Sequence, residues 1–327
     1  MILQSDLVSN IALAQDKAYG ALGGLAIGDS FGDASRKPGN RENYGITMDF
    51  NEGATWSTDD TEFALLTAKI LIDTQGKPSS DDVVDAWLKN VAVQDELKRG
   101  GASEKEAANN LRRGLRPPYT GMYNAFHMSD GAVMRIGPVG IMCAGDPEKA
   151  ARIAEIDASI SHFRDGLWGA QAVAAAVAVA MVDGTIDEII EVAMKQIPSD
   201  SWLYYAMNRA FEIVEAAGNS LIEAWMPLHD ELMTTSWATT AEALPYTFAC
   251  LKMVNSDFKT GVIAAGNFGR DADTIGAVAG TILGAKYGAS HIPQKWLEKT
   301  RYPTGTCLQF TKGLDIKETA MQLAALI

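Results

Sequence analysis

Apolar residues recur at a spacing of three to four, or form unbroken Ala/Val stretches, in nine segments of the chain. This spacing places apolar side chains on one helical face, so each segment is predicted to be an α-helix. The predicted helices are 15–27, 59–72, 81–97, 147–156, 165–182, 185–196, 204–217, 241–255 and 274–287. Strand-like alternation is almost absent, and no low-complexity linker interrupts the chain. The sequence therefore predicts an all-α fold, a compact multi-helix bundle in one domain over residues 1–327.

Two of these helices carry a glycine at every fourth position. The two stripes are Gly20, Gly24 and Gly28 in the first helix and Gly276, Gly280, Gly284 and Gly288 in the last. Glycine costs about 1 kcal/mol in a helix interior relative to alanine, so a repeated glycine needs a compensating gain. A face without side chains lets another helix approach closely. We therefore expect the two helices to pack against each other, or against other small faces, at the centre of the domain.

The composition is that of a globular protein, with 47% hydrophobic and 21% charged residues. The formal net charge is −13. Such an acidic surface repels phosphate backbones and anionic lipids, so neither nucleic acid nor a membrane is an expected partner. An excess of acidic residues also suits a protein that binds cations.

The remaining bulk features point to a soluble cytoplasmic protein. Cys143, Cys250 and Cys307 are odd in number, far apart and outside any CxxC motif, so reduced thiols are expected. The amino-terminal stretch has no basic region before an apolar one and does not resemble a signal peptide. The most apolar run, 166–182, falls short of the roughly 20 residues that cross a bilayer, and it is predicted to be a buried core helix.

The first polar cluster, WSTDDT at 56–61, precedes the apolar stripe of the second predicted helix. Ser57 followed by Asp60 resembles a capping box, and acidic residues stabilise the first turn of a helix. Capping needs a single oxygen, whereas several consecutive side chains here carry oxygens. The cluster is therefore interpreted either as a helix cap or as a set of metal ligands.

A second cluster, GRDADT at 269–274, repeats the same chemistry at the start of another apolar helix. Two such clusters are hard to explain as independent caps. Carboxylate and hydroxyl oxygens without His or Cys suit Mg²⁺ or Mn²⁺ better than zinc or copper. Two cations that share a bridging carboxylate would use both clusters and would orient a substrate diol and an attacking water.

The sequence resembles the ADP-ribosylglycohydrolase family, which includes the dinitrogenase reductase-activating glycohydrolases. The matching segments span nearly the whole chain in the family's order. They are GALGGLAIGDSFGD (20–33), WSTDDTEFALLTAKIL (56–71), GAVMRIGPVG (131–140), Ser161-His162 and GNFGRDADTIGAVAGTILGAKYG (266–288). The TDDT and DxDT motifs together are highly specific. The resemblance implies a bundle of a dozen or more helices with two metals in a central cleft.

Site residues follow from the matching positions. The implied ligands of two Mg²⁺ or Mn²⁺ ions are Thr58, Asp59, Asp60, Asp271, Asp273 and Thr274. Asp60 and Asp271 are the expected catalytic carboxylates. The residues expected to bind substrate are Arg36, Asp130, Gly131, Met134, Arg135 and His162. A structural histidine that orders a loop is the favoured interpretation of His162 over acid–base catalysis.

Two positions depart from the family pattern. Arg36 stands where many members have Glu, and Asp33 and Glu42 are the nearby acids that could replace it. Asp130 stands where the phosphate-binding loop often has Asn. Two like charges about 4 Å apart repel by roughly 4 kcal/mol at an effective dielectric constant of 20, which would disfavour a diphosphate. Arg36 in turn would suit an anionic group on the aglycone.

Three functions remain open at this point. The leading one is metal-dependent hydrolysis of an ADP-ribosyl or ribosyl bond. The second is hydrolysis of a small ribosylated metabolite that lacks the diphosphate, which the residues at positions 36 and 130 favour. The third is a catalytically inactive binding or structural member of the family, which only the loss of the Glu supports.

Overall fold

The computed structural model describes residues 2–50 and 57–327. Within these residues the regular structure is helical, with no strand, so the predicted all-α fold is confirmed. The α-helices of this part are α1 Gln4–Ser9, α2 Ile11–Ser35, α3 Pro38–Tyr44, α4 Asp59–Asp73, α5 Ser80–Asn90, α6 Ala102–Arg112, α7 Tyr119–Met122, α8 Gly131–Arg135, α9 Gly137–Met142, α10 Pro147–Ala158, α11 Asp165–Ala180, α12 Ile186–Lys195, α13 Trp202–Ala216, α14 Leu221–Leu232, α15 Thr240–Met253, α16 Phe258–Gly266, α17 Ala272–Tyr287, α18 Gln294–Thr300 and α19 Ile316–Ala324.

Each of the nine predicted helices is present, and the largest error is at the end of α5. The helix was predicted to reach residue 97 but ends at Asn90. Beyond it, the Arg112 guanidinium donates to the carbonyl oxygens of Ala92 at 2.9 Å and Gln94 at 2.6 Å. These bonds satisfy two backbone carbonyl groups that an α-helix would otherwise have to satisfy. The helix can therefore end at Asn90, although the apolar spacing alone predicts that it continues.

The glycine stripes meet as predicted. Helices α2 and α17 form the most extensively packed helix pair among the described elements. A Cβ atom placed on Gly24 would lie 2.2 Å from the carbonyl oxygen of Gly280, and one placed on Gly28 would lie 1.9 Å from that of Gly276. Only hydrogen fits between these two backbones. The gain that offsets the helical cost of glycine is therefore this close antiparallel contact.

The principal hydrophobic core surrounds this pair. The Ala-rich helix α11 is almost entirely buried and packs on α10, α12 and α17 among other helices, which confirms a core helix for this apolar run. Cys143, Cys250 and Cys307 are buried and unpaired. Within the described ranges, each helix is too short or too polar to span a bilayer.

The packing of α2 against α17 also positions the acidic residues. Gly28 lies against Gly276, and Gly32 lies against Ala272 near the start of α17. Asp29 of α2 and Asp273 of α17 therefore come together at the same end of the pair. The amino-terminal end of α4 joins them there, because the backbone N–H of Thr58 donates to Asp29 at 2.9 Å.

Candidate metal and active site

The first acidic cluster begins α4. Thr58 is the N-cap residue, and its hydroxyl accepts from the Asp60 backbone N–H at 3.3 Å and donates to the Asp60 carboxylate at 3.1 Å. The predicted capping box of Ser57 with Asp60 is wrong, because the Ser57 hydroxyl donates to Glu62 at 2.9 Å instead. One threonine caps the helix, which leaves the two aspartates for another role. Trp56, the first residue of the cluster, lies outside the described residues.

The Glu62 carboxylate anchors the carboxy-terminal segment beside this cluster. It accepts from the backbone N–H groups of Thr306 at 3.0 Å, Cys307 at 2.9 Å and Leu308 at 2.7 Å. Glu62 is fully buried. The last acid of the TDDTE sequence therefore has a structural role, and it fixes the start of α4 against the end of the chain.

The second acidic cluster begins α17 after a strained turn. Gly269 and Arg270 have positive φ angles of 95° and 56°. A left-handed conformation is unfavourable for a non-glycine residue and persists only when its surroundings hold it. Here the Arg270 guanidinium forms a bidentate ion pair with buried Glu242, including one hydrogen bond of 3.0 Å. This pair fixes the turn that presents Asp271 and Asp273.

The two clusters meet around Asp29. One carboxylate oxygen from each of Asp29, Asp60 and Asp273 lies within 4.8 Å of the others. All three residues are buried, and Asp29 is also bonded to the backbone N–H of Thr61 at 3.2 Å.

Oδ1 of Asp29 and Oδ1 of Asp60 find no hydrogen-bond partner within residues 2–50 and 57–327. A buried carboxylate oxygen without a partner is costly, and oxygen donors are the ligands that hard cations prefer. These residues therefore fit a divalent cation.

Burial and mutual repulsion raise the pKa values of this cluster. Burial raises the pKa of Asp29 to about 6 and that of Asp130 to about 7. The pKa values of Asp59, Asp60 and Asp271 lie well above the usual range, first through burial and then through neighbouring carboxylates. A bound cation would relieve both effects, because it stabilises the ionised forms.

The clusters line a cavity of about 410 Å³, a size typical of small-molecule sites. It brings together most of the residues that the sequence singled out. Those in its wall are Arg36, Asp59, Asp60, Asp130, Gly131, Met134, Asp271, Asp273 and Thr274. The metal, catalytic and substrate roles of these residues stay predictions.

Arg135 and His162 require a correction, because neither is among the described residues that line the cavity. Arg135 is fully buried and donates to Asp157 at 2.8 Å and to the carbonyl oxygen of Gly131 at 2.9 Å. These bonds engage the Arg135 guanidinium and tie α8 to α10, and the nitrogen that donates to Gly131 also lies 3.4 Å from Glu104. Neither side chain is therefore placed to contact a substrate in this cavity.

The structural interpretation of His162 is confirmed. Its ring nitrogens lie 2.7 Å from the Ser161 hydroxyl and 3.0 Å from the Ser129 hydroxyl. Burial, and to a smaller extent the charge of Arg135, holds the pKa of His162 well below its usual range. The neutral ring therefore links the loop that precedes α8 to the end of α10.

Arg36 faces the acidic cluster. It caps the carboxyl end of α2, and its guanidinium donates to Asp271 at 2.9 Å and to Asp273 at 2.6 Å. Although burial works in the opposite direction, these two carboxylates raise the pKa of Arg36 above its usual value. The expectation that Arg36 binds an anionic aglycone stays a prediction, and in this structure the charge of Arg36 is already matched by protein carboxylates.

The two acids considered as replacements for the family Glu do not line the cavity formed by the described residues. Glu42 is exposed on α3. Asp33 is buried and engages Arg99 at 2.7 Å and Lys37 at 3.2 Å. Neither side chain is placed to act on a substrate in this cavity.

Sequence reasoning missed four residues in or beside the cavity. Arg99 and Glu104 line it, and Glu104 is fully buried and accepts from the Ser103 hydroxyl at 2.8 Å. Trp237 also lines it, with 58% of its surface exposed, as does half-exposed Phe126, for which the sequence is equally consistent with packing and with stacking on a substrate ring. From the sequence, Asp29 is expected only to cap a helix or to form a hydrogen bond near the metals. The sequence could have indicated Asp29, because it directly follows the glycine stripe that packs against α17. Trp237 lies in a loop, where no such spacing marks a functional residue.

An all-helical fold in which two acidic helix starts meet in one cavity is the arrangement expected of a hydrolase with a hard-cation site. The chain belongs to the ADP-ribosylglycohydrolase family, whose model matches residues 10–327. It is 28% identical over 302 residues to the ADP-ribosyl-[dinitrogen reductase] glycohydrolase of Rhodospirillum rubrum, covering 87% of this chain and 90% of that protein.

Two further proteins agree with this assignment. An ADP-ribosylarginine hydrolase of Pseudomonas putida is 26% identical over 303 residues, covering 88% of this chain and 75% of that protein. A solved structure described as an ADP-ribosylglycohydrolase-related protein complex superposes with a TM-score of 0.69 at 23% identity. The superposition covers 96% of this chain and 99% of that one, and it establishes the fold.

Divalent cations are expected to stabilise the protein most at alkaline pH. A carboxyl whose folded-state pKa is raised contributes stability below its unfolded pKa and loses it as the pH rises through the folded pKa. For Asp29 this window runs from 3.8 to about 6, and for Asp130 from 3.8 to about 7. Without cations the melting temperature therefore falls across this window, and Mg²⁺ restores it by binding the ionised ligands.

The measurement is a thermal melt in chelator and in excess Mg²⁺ at about pH 5 and about pH 8. At a concentration 100-fold above its dissociation constant, the ion adds about 2.7 kcal/mol of stability. We expect that shift at the higher pH and a smaller one at the lower. A melting temperature indifferent to Mg²⁺ at the higher pH would contradict the metal site.

Proposed function

We propose that the protein hydrolyses the glycosidic bond between the ribose C1″ of an ADP-ribosyl or ribosyl group and its acceptor, in a reaction that depends on a divalent cation. The observation that carries this proposal is the junction of the two helix starts, where Asp29 and Asp60 hold buried oxygens without described partners beside Asp273. Such a cluster is unfavourable without a cation. The names of the relatives supply the substrate class.

The bound cation and the side chains of the cavity would have different roles in the reaction. A bound cation would supply charge stabilisation worth several kcal/mol at the ribose hydroxyls and the attacking water. Asp60 and Asp271, from opposite helix starts, would orient that water and accept its proton. The water oxygen bonds to C1″, the glycosidic bond breaks, and the leaving group takes up the proton that the carboxylate accepted from the water. Thr58, Asp59 and Thr274 would complete the oxygen ligands.

The outer cavity suits a substrate with a planar group. Trp237 and Phe126 expose about half of their surfaces at its edge, at 58% and 50%. Half-exposed aromatic rings offer apolar faces on which a base or a planar guanidine group can stack. This arrangement supports a substrate larger than ribose alone.

A second candidate is hydrolysis of a small riboside without a diphosphate, and Asp130 is the observation that favours it. Asp130 is buried in the cavity wall, and its Oδ2 has no hydrogen-bond partner among the described residues. Where this carboxyl is ionised, it disfavours a diphosphate at the same site.

A cytoplasmic location and the exclusion of nucleic acid stay predictions from the sequence.

The substrate is tested by comparing turnover of ADP-ribosyl-arginine with that of simple ribosides by the wild type and by Asp130→Asn. At about pH 8, above the raised pKa of Asp130, removing the negative charge is expected to raise kcat/KM for the diphosphate substrate by about tenfold or more. One tenfold step needs only about 1.4 kcal/mol of relieved repulsion. Turnover of ribosides, which lack the phosphate charges, should change far less.

The outcomes separate the candidates. Efficient release of ADP-ribose by the wild type at low substrate concentration ends the small-riboside function. Turnover of ribosides alone supports it. Tight cation binding without turnover of either class would identify the inactive member of the family. An equal effect of Asp130→Asn on both substrates would show that Asp130 does not select against the diphosphate.

A further inference from the structure

We propose that the guanidinium of Arg36 takes the position of one of the two cations expected at this site, so that the protein holds a single divalent ion. This inference rests on the metal site of the proposed function. The permanent positive charge of Arg36 lies beside Asp271 and Asp273, and the exchangeable ion would bind on the side of Asp29 and Asp60.

The half that fits an ion contains Asp29, Asp60 and Asp273. Their nearest carboxylate oxygens lie within 4.8 Å of one another, and all three residues are at least nine-tenths buried. Oδ1 of Asp29 and Oδ1 of Asp60 lack a hydrogen-bond partner in the part of the chain that the structure describes. Asp29 and Asp60 thus each bring an oxygen without a proton donor to this group, and such oxygens are the ligands that a hard cation prefers.

The carboxylates on the other side, Asp271 and Asp273, are already paired with the guanidinium of Arg36. One guanidinium nitrogen of Arg36 lies 2.9 Å from Asp271 and 2.6 Å from Asp273, and a second lies 2.6 Å from the other oxygen of Asp273. These are lengths of direct charge-assisted hydrogen bonds. An ion bridging the same carboxylates would meet a guanidinium that cannot lose its charge and has no lone pair to donate.

Neighbouring residues hold Arg36 in this position. It caps α2, next to the close contact of Gly32 with Ala272, so its backbone is fixed beside the start of α17. Asp33 also lies 3.5 Å from its guanidinium and 2.7 Å from that of Arg99. The Arg36 side chain is 29% exposed and forms part of the cavity wall. The arginine is therefore a built-in part of the cluster.

The consequence for the ligand set is specific. Asp271 becomes the ion-pair partner of Arg36, while Asp60 remains a ligand of the ion. Asp273 is shared, since a carboxylate has lone pairs enough to accept from the guanidinium and to bind a metal. The single ion should then lie on the α4 side of the cavity.

The test is the number of Mn²⁺ ions bound per chain after removal of all metal, measured by equilibrium dialysis with elemental analysis and by electron paramagnetic resonance. We expect one tightly bound ion in the wild type, with the hyperfine spectrum of an isolated Mn²⁺. In Arg36→Glu a carboxylate replaces the guanidinium, and we expect a second ion together with a spectrum broadened by coupling between the two.

Arg99→Glu is the matched control, because it makes the same charge reversal in the same cavity wall without touching Asp271 or Asp273. It should bind one ion. Arg36→Gln serves if the charge reversal prevents folding, and it should also admit a second, weaker ion.

Two coupled ions in the wild type, or a second ion in the control as readily as in Arg36→Glu, would overturn the inference and leave the proposed function intact. No second ion in either variant at position 36 would also overturn it. No bound ion in an active wild type would overturn both proposals.

Discussion

Replacing Asp273 with Asn is expected to remove the bound cation and to lower kcat/KM by about 1,000-fold, because the lost metal contribution to the transition state is several kcal/mol. Asp273 is the carboxylate that joins the two halves of the cluster. It lies with Asp29 and Asp60 on one side and is bonded to Arg36 on the other. An amide supplies one neutral oxygen where the carboxylate supplies two charged ones.

The matched control is Asp81→Asn, which makes the same change in the first turn of α5, where the side chain is exposed. Losing an acid at an exposed helix start costs only about 0.3–1 kcal/mol of stability, and activity should be unchanged. Metal analysis accompanies the kinetics. An Asp273→Asn protein that retains the ion and most of its activity would show that the site lies elsewhere.

Replacing Gly24 with Ala is expected to destabilise the fold by at least about 3 kcal/mol, the upper range for overpacking a core. The added methyl group would lie 2.2 Å from the carbonyl oxygen of Gly280 and 3.0 Å from the Phe258 ring. The nearest obstacle is backbone, so a rotamer change cannot relieve the clash and α2 must move away from α17. The measurement is the midpoint of urea-induced unfolding, compared at equal slope.

Gly39→Ala provides the control within a helix. Gly39 lies in α3, and a Cβ atom built there would meet no other atom within 4 Å. This substitution should be neutral or stabilising by up to about 1 kcal/mol, since it gains helix propensity without a clash. If both variants unfolded at the same urea concentration as the wild type, the contact of α2 with α17 would not limit stability.

The features that the sequence predicted best are those set by local periodicity. The long amphipathic or uniformly apolar helices were predicted correctly because the three-to-four spacing of their apolar residues is visible within one stretch of the sequence. Helix α6, with the sequence ASEKEAANNLR, was missed because its apolar stripe is too thin to stand out. Helix α14 was missed because Pro227 lies inside it. Such helices depend on tertiary contacts that a local pattern does not contain.

In the candidate site, too, the sequence predicted local patterns and did not predict contacts between distant residues. The acids at the starts of α4 and α17 were visible because oxygen-bearing residues are clustered along the sequence. The geometry of Arg36 was not visible, since its partners Asp271 and Asp273 are more than 200 residues away. The burial of Arg135 was not visible for a related reason. Its motif lies beside the cavity, but only the fold shows that its guanidinium is buried and bonded to Asp157.

Arg36 also changes how the missing family Glu is understood. From the sequence alone, an arginine in this position suggests either lost catalysis or an anionic substrate. In the structure its charge is matched by Asp271 and Asp273. The substitution therefore places a matched positive charge beside Asp271 and Asp273, and it leaves Asp60 and the unpartnered oxygen of Asp29 in place.

In the proposed function, a divalent cation at the junction of α2, α4 and α17 drives hydrolysis of a ribosyl bond. The decisive experiment measures the rate of ribose or ADP-ribose release by chelator-stripped protein, before and after Mg²⁺ or Mn²⁺ is returned. We expect no measurable release in chelator and recovery of activity when the ion is added. Full activity in chelator, with no metal detected in the protein, would contradict it.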